Sequence, residues 1–185
     1  MEQVTLEREC AGTLIPDGIE ATLPAGSQVW IAQALGGAVT VRTDSGLYRI
    51  APADLDALGS EVAGRLRATQ RIPERGESTE DSSFSEEHVW EALRHCYDPE
   101  IPLNIVDLGL VYDLAMTEGG RGQQVAVKMT LTAQGCGMGP AIAADAKSKI
   151  ESLPEVEHAD VEIVWDPQWT PHMISAEGRK VLGLD

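Results

Sequence analysis

Several kinds of residue are scarce in this chain of 185 amino acids, and each scarcity narrows what it can be. Aromatic residues make up only 4% of the chain, so a core must rest on Val, Leu, Ile and Ala, which the 43% apolar content allows. No run of about 18 apolar residues occurs, and Met1-Glu2-Gln3 does not open a basic-then-apolar signal sequence. These absences predict a globular, cytoplasmic protein.

Positive charge is also scarce. The chain has 14 Lys and Arg against 30 Asp and Glu, which gives a formal net charge of −16. A surface of this sign repels phosphate backbones and anionic lipid headgroups. We therefore expect no nucleic-acid partner and no membrane partner.

Cysteine is limited to Cys10, Cys96 and Cys136, without any Cys-x-x-Cys spacing. An odd number cannot pair fully within one chain, so reduced thiols in a reducing compartment are expected. Cys10 stands beside Ala11-Gly12 with no His or Cys nearby, which indicates a structural or incidental thiol. Cys96 falls on the apolar face of a predicted helix with Val89 and Leu93, which indicates a core residue.

The chain divides into two predicted domains. Residues 1–68 form a small β-rich domain, because short apolar runs alternate with turn signals. Within it, the runs on either side of Gly36-Gly37 predict a hairpin. Residues 69–84 are polar and charged and are predicted to be a linker. Residues 85–185 form the second domain.

The second domain has the predicted order αββαβα. Ser85 is a candidate N-cap for the first helix, and the strands contain Leu108–Leu114, Gln124–Thr132 and Val161–Trp165. A last short helix lies around 175–182. The expected fold class is α+β: a small mixed sheet with helices, preceded by a small all-β domain.

Cys136 occupies the junction between a strand pattern and a helix pattern. The strand positions up to Leu131 alternate in polarity, and the following helix opens with Pro140, which is tolerated in a first helical turn. A helix N-terminus favours the thiolate form, and glycines at 135, 137 and 139 leave little side-chain cover. Two interpretations of Cys136 stay open on chemistry alone: it is a reactive or metal-binding thiol, or it is a small buried hydrophobic residue.

Four ordered segments resemble the motifs of one family: Asp98–Ile101, Asn104–Tyr112, Met129–Thr132 ahead of the Cys136 loop, and Asp166–Pro171. It is the small-domain family that includes SufT-type iron–sulfur cluster assembly proteins, the phenylacetate-pathway protein PaaD and the cytosolic iron–sulfur assembly factors. Most members have Pro directly after the Cys, whereas Cys136-Gly137-Met138-Gly139-Pro140 resembles the SufT branch.

This resemblance implies a non-enzymatic auxiliary factor that assembles iron–sulfur clusters or delivers them to client apoproteins, as part of a SUF-type system. It implies transient iron or an iron–sulfur cluster at Cys136, the expected metal ligand, and a homodimer that works with the assembly machinery. Residues expected near that group are Cys136, Asp98, Glu100, Asp107, Thr130 and Thr132. Trp169, His172 and Met173 resemble the family's mobile C-terminal segment.

Two alternatives remain. Cys136 could be the nucleophile of an acyl- or sulfur-transfer enzyme, which would need a general base and an orienting partner. The chain could instead be a structural adaptor in which Cys136 is replaceable.

His88, Glu91 and His95 share a helix face, but that face points away from the apolar stripe, which favours a solvated surface over a metal site.

Overall fold

The structure, a computed structural model, describes residues 2–69 and 84–184. The chain divides into two compact units, Met1–Glu74 and Arg75–Asp185. The predicted linker, residues 69–84, lies outside the described residues except at its two ends. In the described ranges, no helix is both long and apolar enough to cross a membrane.

The N-terminal unit is built on an antiparallel six-stranded sheet in the order β1-β4-β5-β6-β2-β3. Its strands are β1 (Glu2–Thr5), β2 (Cys10–Ile15), β3 (Glu20–Leu23), β4 (Gln28–Leu35), β5 (Ala38–Thr43) and β6 (Gly46–Ile50). The hairpin predicted around Gly36-Gly37 is confirmed, because β4 and β5 pair on either side of it and both glycines have positive φ.

Two helical segments follow this sheet: a 3-10 helix at Pro52–Leu58 and helix α1 at Ser60–Thr69. Leu55, Leu58 and Ala63 are buried in the same core as the strand residues Val29, Val39 and Ile50. The prediction of a small all-β region is confirmed as far as Ile50, but it missed the helices. Their signal was present in the spacing of Val62, Ala63 and Leu66, which places three apolar side chains on one helix face.

The C-terminal unit has the predicted order αββαβα. It contains helices α2 (Glu86–Arg94), α3 (Gly139–Glu151) and α4 (Ala176–Leu182) and strands β7 (Val111–Glu118), β8 (Gln123–Met129) and β9 (Val156–Ile163). A short 3-10 helix at Pro171–Met173 precedes α4. The three strands form one mixed sheet, in which β8 pairs antiparallel with β7 and parallel with β9. The α+β fold class is confirmed.

Alternation along β8 decides which face of this sheet is covered. Val125, Val127 and Met129 are buried, whereas Gln124, Ala126 and Lys128 are exposed. Ile142, Ala146 and Ile150 of α3 are buried in turn, and α3 packs beside β9. Apolar side chains of the sheet and of α3 therefore share one core, and the opposite face of the sheet is polar.

The predicted bounds of all three strands were wrong. The first hairpin strand begins at Val111, because Leu108 and Leu110 lie in the preceding turns, where they are buried. The second ends at Met129, so Thr130 lies beyond the strand and does not continue its alternation. Thr130 is only 1% exposed.

The third strand was predicted over Val161–Trp165, but β9 runs from Val156 to Ile163. It pairs in parallel with the whole of β8, from Gln123 opposite Val156 to Met129 opposite Ile163, and this pairing sets its length. Trp165 therefore follows the strand.

Candidate functional site

Three chain segments of the C-terminal unit meet at one edge of its sheet. Val111 begins β7 and pairs with Met129, the last residue of β8, which also pairs with Ile163, the last residue of β9. The Thr130 amide donates to the Leu110 carbonyl at 2.8 Å. The segments that precede β7, follow β8 and follow β9 therefore gather at this edge, which we call the site edge.

The segment after β8 carries Cys136 in a tight turn. Its amide donates to the Ala133 carbonyl at 3.4 Å, and its carbonyl accepts from the Gly139 amide at 3.2 Å. Gly135, directly before it, has φ +83°, a conformation that glycine adopts without strain. Cys136 is half-buried, whereas Cys10 and Cys96 are buried, which confirms the prediction of a core position for Cys96.

Close packing fixes this turn against the sheet. Gly139 is the first residue of α3, and a Cβ built on it would lie 2.6 Å from Leu131 Cδ1 and 3.3 Å from Ile163 Cδ1. Met138, next to it, is fully buried. Because α3 starts directly on the ends of β8 and β9, the position of Cys136, three residues earlier, is set by the core rather than by a free loop.

Thr130 has a buried hydroxyl without a hydrogen-bond partner among the described residues. Burying such a group unpaired costs about 1–3 kcal/mol, so a native structure rarely keeps one without a reason. Thr132 is half-buried beside it in sequence. Thr130 thus holds an unused hydroxyl between the end of β8 and the Cys136 turn.

Asp98 organises the turn that follows α2. Its Oδ1 accepts hydrogen bonds from the amides of Glu100 at 2.8 Å and Ile101 at 2.9 Å. Burial raises the pKa of Asp98, and the two backbone N–H groups oppose this by stabilising the charged form. Glu100 itself is exposed. Asp98 therefore acts within its own turn, as expected of a residue before proline.

Asp107 uses both carboxylate oxygens in contacts with neighbouring side chains. Oδ2 accepts from the Asn104 side-chain amide at 2.6 Å, and Oδ1 accepts from the Ser175 hydroxyl at 2.7 Å. Asn104 Oδ1 in turn accepts from the Asp107 amide at 2.8 Å. Asp107 consequently links the turn before β7 to the C-terminal end of the chain.

The segment 166–175, here called the strap, runs from β9 back across the start of β7. The Trp169 indole N–H donates to the Leu108 carbonyl at 2.8 Å, and the Tyr112 hydroxyl donates to the Pro167 carbonyl at 2.8 Å. Gly109 has φ +71°, and a Cβ built on it would overlap the Met173 carbonyl oxygen. The strap is thus packed directly on the turn that contains Asp107.

The structure brings some predicted site residues together and leaves others apart. Asp107 and Thr130 both belong to segments at the site edge, and so does Cys136. In the part of the chain that the structure describes, however, no group of three or more His, Cys, Asp or Glu side chains is arranged to hold a metal ion. This applies also to His88, Glu91 and His95: His88 Nδ1 accepts from the Ser85 amide at 3.1 Å, and His95 Nε2 is buried without a hydrogen-bond partner among the described residues.

Sequence reasoning missed Ser175 and Tyr112 as strap contacts. Ser175 was recognisable only as the start of α4, where its Oγ accepts from the Gly178 amide at 2.9 Å. Its second role depends on Asp107, 68 residues away along the chain, which no local pattern reveals.

One family model and several known proteins match about half of the chain or less. The family model described as iron–sulfur cluster assembly protein matches residues 86–163. The Fe-S protein maturation auxiliary factor YitW of Bacillus subtilis is 41% identical over 98 residues, which are 53% of this chain and 93% of that protein. The Fe-S protein maturation auxiliary factor SufT of Staphylococcus aureus is 41% identical over 87 residues, 47% of this chain and 96% of that protein.

Among solved structures, a domain of unknown function DUF59 from Bacillus anthracis is 34% identical, with 54% of this chain and 92% of that chain covered and a TM-score of 0.48. The region that the family model matches, residues 86–163, contains the Cys136 turn, Thr130 and Asp107, and it excludes the N-terminal unit. The alignments with YitW and SufT cover 93% and 96% of those proteins, and 41% of the aligned residues are identical in each. The chain therefore belongs to the iron–sulfur cluster assembly protein family.

Proposed function

We propose that the protein is an auxiliary factor that assists the assembly of iron–sulfur clusters or their delivery to client apoproteins, with Cys136 as a transient ligand of the cargo. The relatives are named Fe-S protein maturation auxiliary factors. The observation that carries the proposal for this chain is the contrast among its thiols. Cys136 is half-exposed in a turn held at the site edge, whereas Cys10 and Cys96 are buried.

The cargo is held loosely in this scheme. Cluster iron takes four ligands, usually thiolates, and each chain offers one accessible thiol. The remaining ligands then come from a second copy of the chain, a client protein or a small thiol. Incomplete coordination by the carrier favours release to a client that supplies a full set.

Thr130 and Thr132 have a supporting role in this proposal. The unpaired Thr130 hydroxyl donates a hydrogen bond to a sulfide or thiolate sulfur of the cargo at Cys136, which satisfies a buried group that is otherwise unpaired. Asp98, Glu100 and Asp107 shape the surroundings of the site. Asp98 and Asp107 do so through the turn and strap contacts of their carboxylates.

The factor works without catalytic turnover. A thiol enzyme would need a base and an orienting group around Cys136. The carboxylates of Asp98 and Asp107 instead accept hydrogen bonds from backbone amides, an asparagine and a serine. These are structural pairings.

Anaerobic incubation with ferrous iron and sulfide tests the proposal. Wild-type protein is expected to develop thiolate-to-iron charge-transfer absorption, with Mössbauer parameters of tetrahedral iron, and Cys136→Ala is expected to lose both. Cys96→Ala is the matched control, because it removes a buried thiol of the same unit and should leave the spectra intact. Equal spectra for wild type and Cys136→Ala, or thioester turnover by metal-free protein, would overturn it.

A further inference from the structure

The N-terminal unit, which lies outside the matched family region, contains a pocket of about 480 Å³. The end of β3, the start of β4 and the turn between β5 and β6 line it, and we call it the turn pocket. Its volume falls in the usual range of small-molecule sites, roughly 300–1,000 Å³. The chemistry of its lining decides what it can bind.

Neutral hydrogen-bonding side chains dominate the lining of the turn pocket. Of the eleven described residues that line it, six carry a hydroxyl or a side-chain amide: Thr22, Ser27, Gln28, Thr43, Ser45 and Tyr48. Asp44 is the one charged residue among those eleven, and Arg42 carries the opposite charge over the Trp30 ring, 5.7 Å from its centroid. The lining together with this arginine is therefore neutral, which favours a ligand without net charge.

Two buried side chains, Leu23 and Tyr48, form an apolar part of the lining. Both pack over Gly12, where a Cβ would lie 3.1 Å from Leu23 Cδ1 and 3.3 Å from Tyr48 Cβ. The missing side chain at Gly12 thus lets these two residues pack closely, and the packing fixes their positions. A fixed apolar surface binds an apolar face of a ligand at a low ordering cost.

A relay of hydroxyls leaves only acceptors for a ligand. The Thr43 hydroxyl donates to the Gly46 carbonyl at 3.2 Å, which uses its single proton. Ser45 Oγ lies 3.0 Å from Thr43 Oγ1 and therefore donates to it, and the Tyr48 hydroxyl, 3.2 Å from Ser45 Oγ, donates to Ser45 in turn. All three protons are used, so Ser45 and Tyr48 offer lone pairs. Asp44, exposed in the same turn, adds a carboxylate, which also only accepts.

We propose that the turn pocket binds a neutral saccharide, whose hydroxyls donate hydrogen bonds to Asp44, Ser45 and Tyr48 while a C–H face of its ring packs against Leu23. A sugar ring combines several O–H donors, a C–H face and no net charge, which are the three properties that the lining requires. An amine brings a positive charge, and an apolar ligand leaves the acceptors unpaired at a cost in affinity. The N-terminal unit thereby binds a small molecule separately from the cargo at Cys136.

Nuclear magnetic resonance titration of the full chain with glucose, galactose, mannose and ribose tests the proposal. At least one sugar is expected to shift the amides of 21–24 and 43–46 and the Trp30 indole, with a Kd in the millimolar range. Asp44→Ala should weaken that binding about tenfold or more, and Tyr48→Phe about fivefold, because each removes an acceptor and the first one is charged. Asp17→Ala, at an exposed acid in another turn of the same unit, is the matched control and should leave binding unchanged.

Charged and apolar analogues separate the possible outcomes. Glucuronate should bind more weakly than the neutral sugar, because its carboxylate meets Asp44 and lone pairs. Tighter binding of glucosamine, equal binding of cyclohexanol, shifts located outside the turn pocket, or no shifts with any of the four sugars at tens of millimolar would overturn the proposal. Cys136→Ala should bind the sugar as the wild type does, so the outcome is independent of the cargo proposal.

Discussion

The Ser175 hydroxyl donates to Asp107 Oδ1 at 2.7 Å, while the Ser175 amide donates to the Asp107 carbonyl at 2.8 Å. One residue of the strap is thus tied twice to one residue of the turn before β7. The same Oγ accepts from the Gly178 amide and caps α4. Asp107 therefore acts as the anchor of the strap, whatever contact the strap makes with cargo.

Removing this anchor should loosen the strap. Ser175→Ala loses the bond to Asp107 and the helix cap, and it should lower the free energy of unfolding by about 1–3 kcal/mol. Urea denaturation monitored by Trp fluorescence measures this, and Trp169, bonded to Leu108, reports on the strap. Ser148→Ala, on the exposed side of α3, is the control. A loss no larger than that of the control would show that the strap is held by other contacts.

Gly109 permits the close approach of strap and turn. Gly109→Ala forces a Cβ into the Met173 carbonyl oxygen and a side chain into positive φ, so it should cost about 2 kcal/mol or more. Gly120→Ala is the matched control, because nothing lies within 4 Å of a Cβ there. The midpoints of thermal unfolding of the two variants measure the difference. Similar midpoints would mean that the strap shifts aside without loss of stability.

Much of this fold could be predicted because local patterns determine it. Alternation from Val125 to Met129 and the Pro140 helix start specify β8 and α3, and the turn glycines specify the β4–β5 hairpin. Thr130 could not be placed, because its burial depends on the strand ending at Met129, three residues before the predicted end at Thr132.

The site was less predictable than the fold for the same reason. Cys136 is recognisable from its glycine-rich setting, and Asp98 from the proline after it. The pairing of Asp107 with Ser175 joins residues far apart in sequence and depends on the path of the strap. The edge position of β3 likewise depends on strand order, since β2 pairs with β6 on its other side and leaves β3 at the end of the sheet.

Asp98 should make stability depend on pH. Its pKa is raised by burial above the ordinary value of 3.8, so the folded state binds a proton more readily than the unfolded state. The stability it contributes is therefore complete below the unfolded pKa and is lost as pH rises through the folded pKa. Asp98→Asn keeps an oxygen acceptor for the amides of Glu100 and Ile101 and should remove this loss.

Urea denaturation from about pH 3 to pH 7 measures the difference in free energy of unfolding between wild type and Asp98→Asn. The range starts near the pKa that Asp98 has in the unfolded chain. The two proteins should diverge in favour of Asp98→Asn as pH rises. Asp98→Ala, which loses both backbone hydrogen bonds, should be less stable at every pH. A constant difference between wild type and Asp98→Asn across the range would contradict a raised pKa.

The three thiols should react at different rates. Cys136 is half-exposed, and Cys96 is fully buried. Burial raises the pKa of the Cys10 thiol, which lowers its thiolate fraction further. Iodoacetamide applied to native protein near neutral pH should therefore modify Cys136 first, with peptide mass spectrometry as the readout. Faster labelling of Cys96 or Cys10 would contradict the described burial, and denatured protein, in which all three should react, is the control.

The cargo proposal predicts a specific cellular defect. Cys136→Ser replaces a soft ligand by a hard one of similar volume, so the protein should accumulate normally while the activity of iron–sulfur enzymes falls. Cys96→Ala is the control, because it leaves a small cavity that lowers the stability of the protein but keeps the accessible thiol of Cys136. Enzyme activity per amount of this protein should therefore fall for Cys136→Ser and stay constant for Cys96→Ala. In vitro, the reconstituted wild-type protein should lose iron readily to a chelator or an apo client, because one thiol per chain leaves the coordination dependent on outside ligands. Full activity of those enzymes with Cys136→Ser under iron limitation would rule out ligation by this thiol and leave the adaptor interpretation in its place.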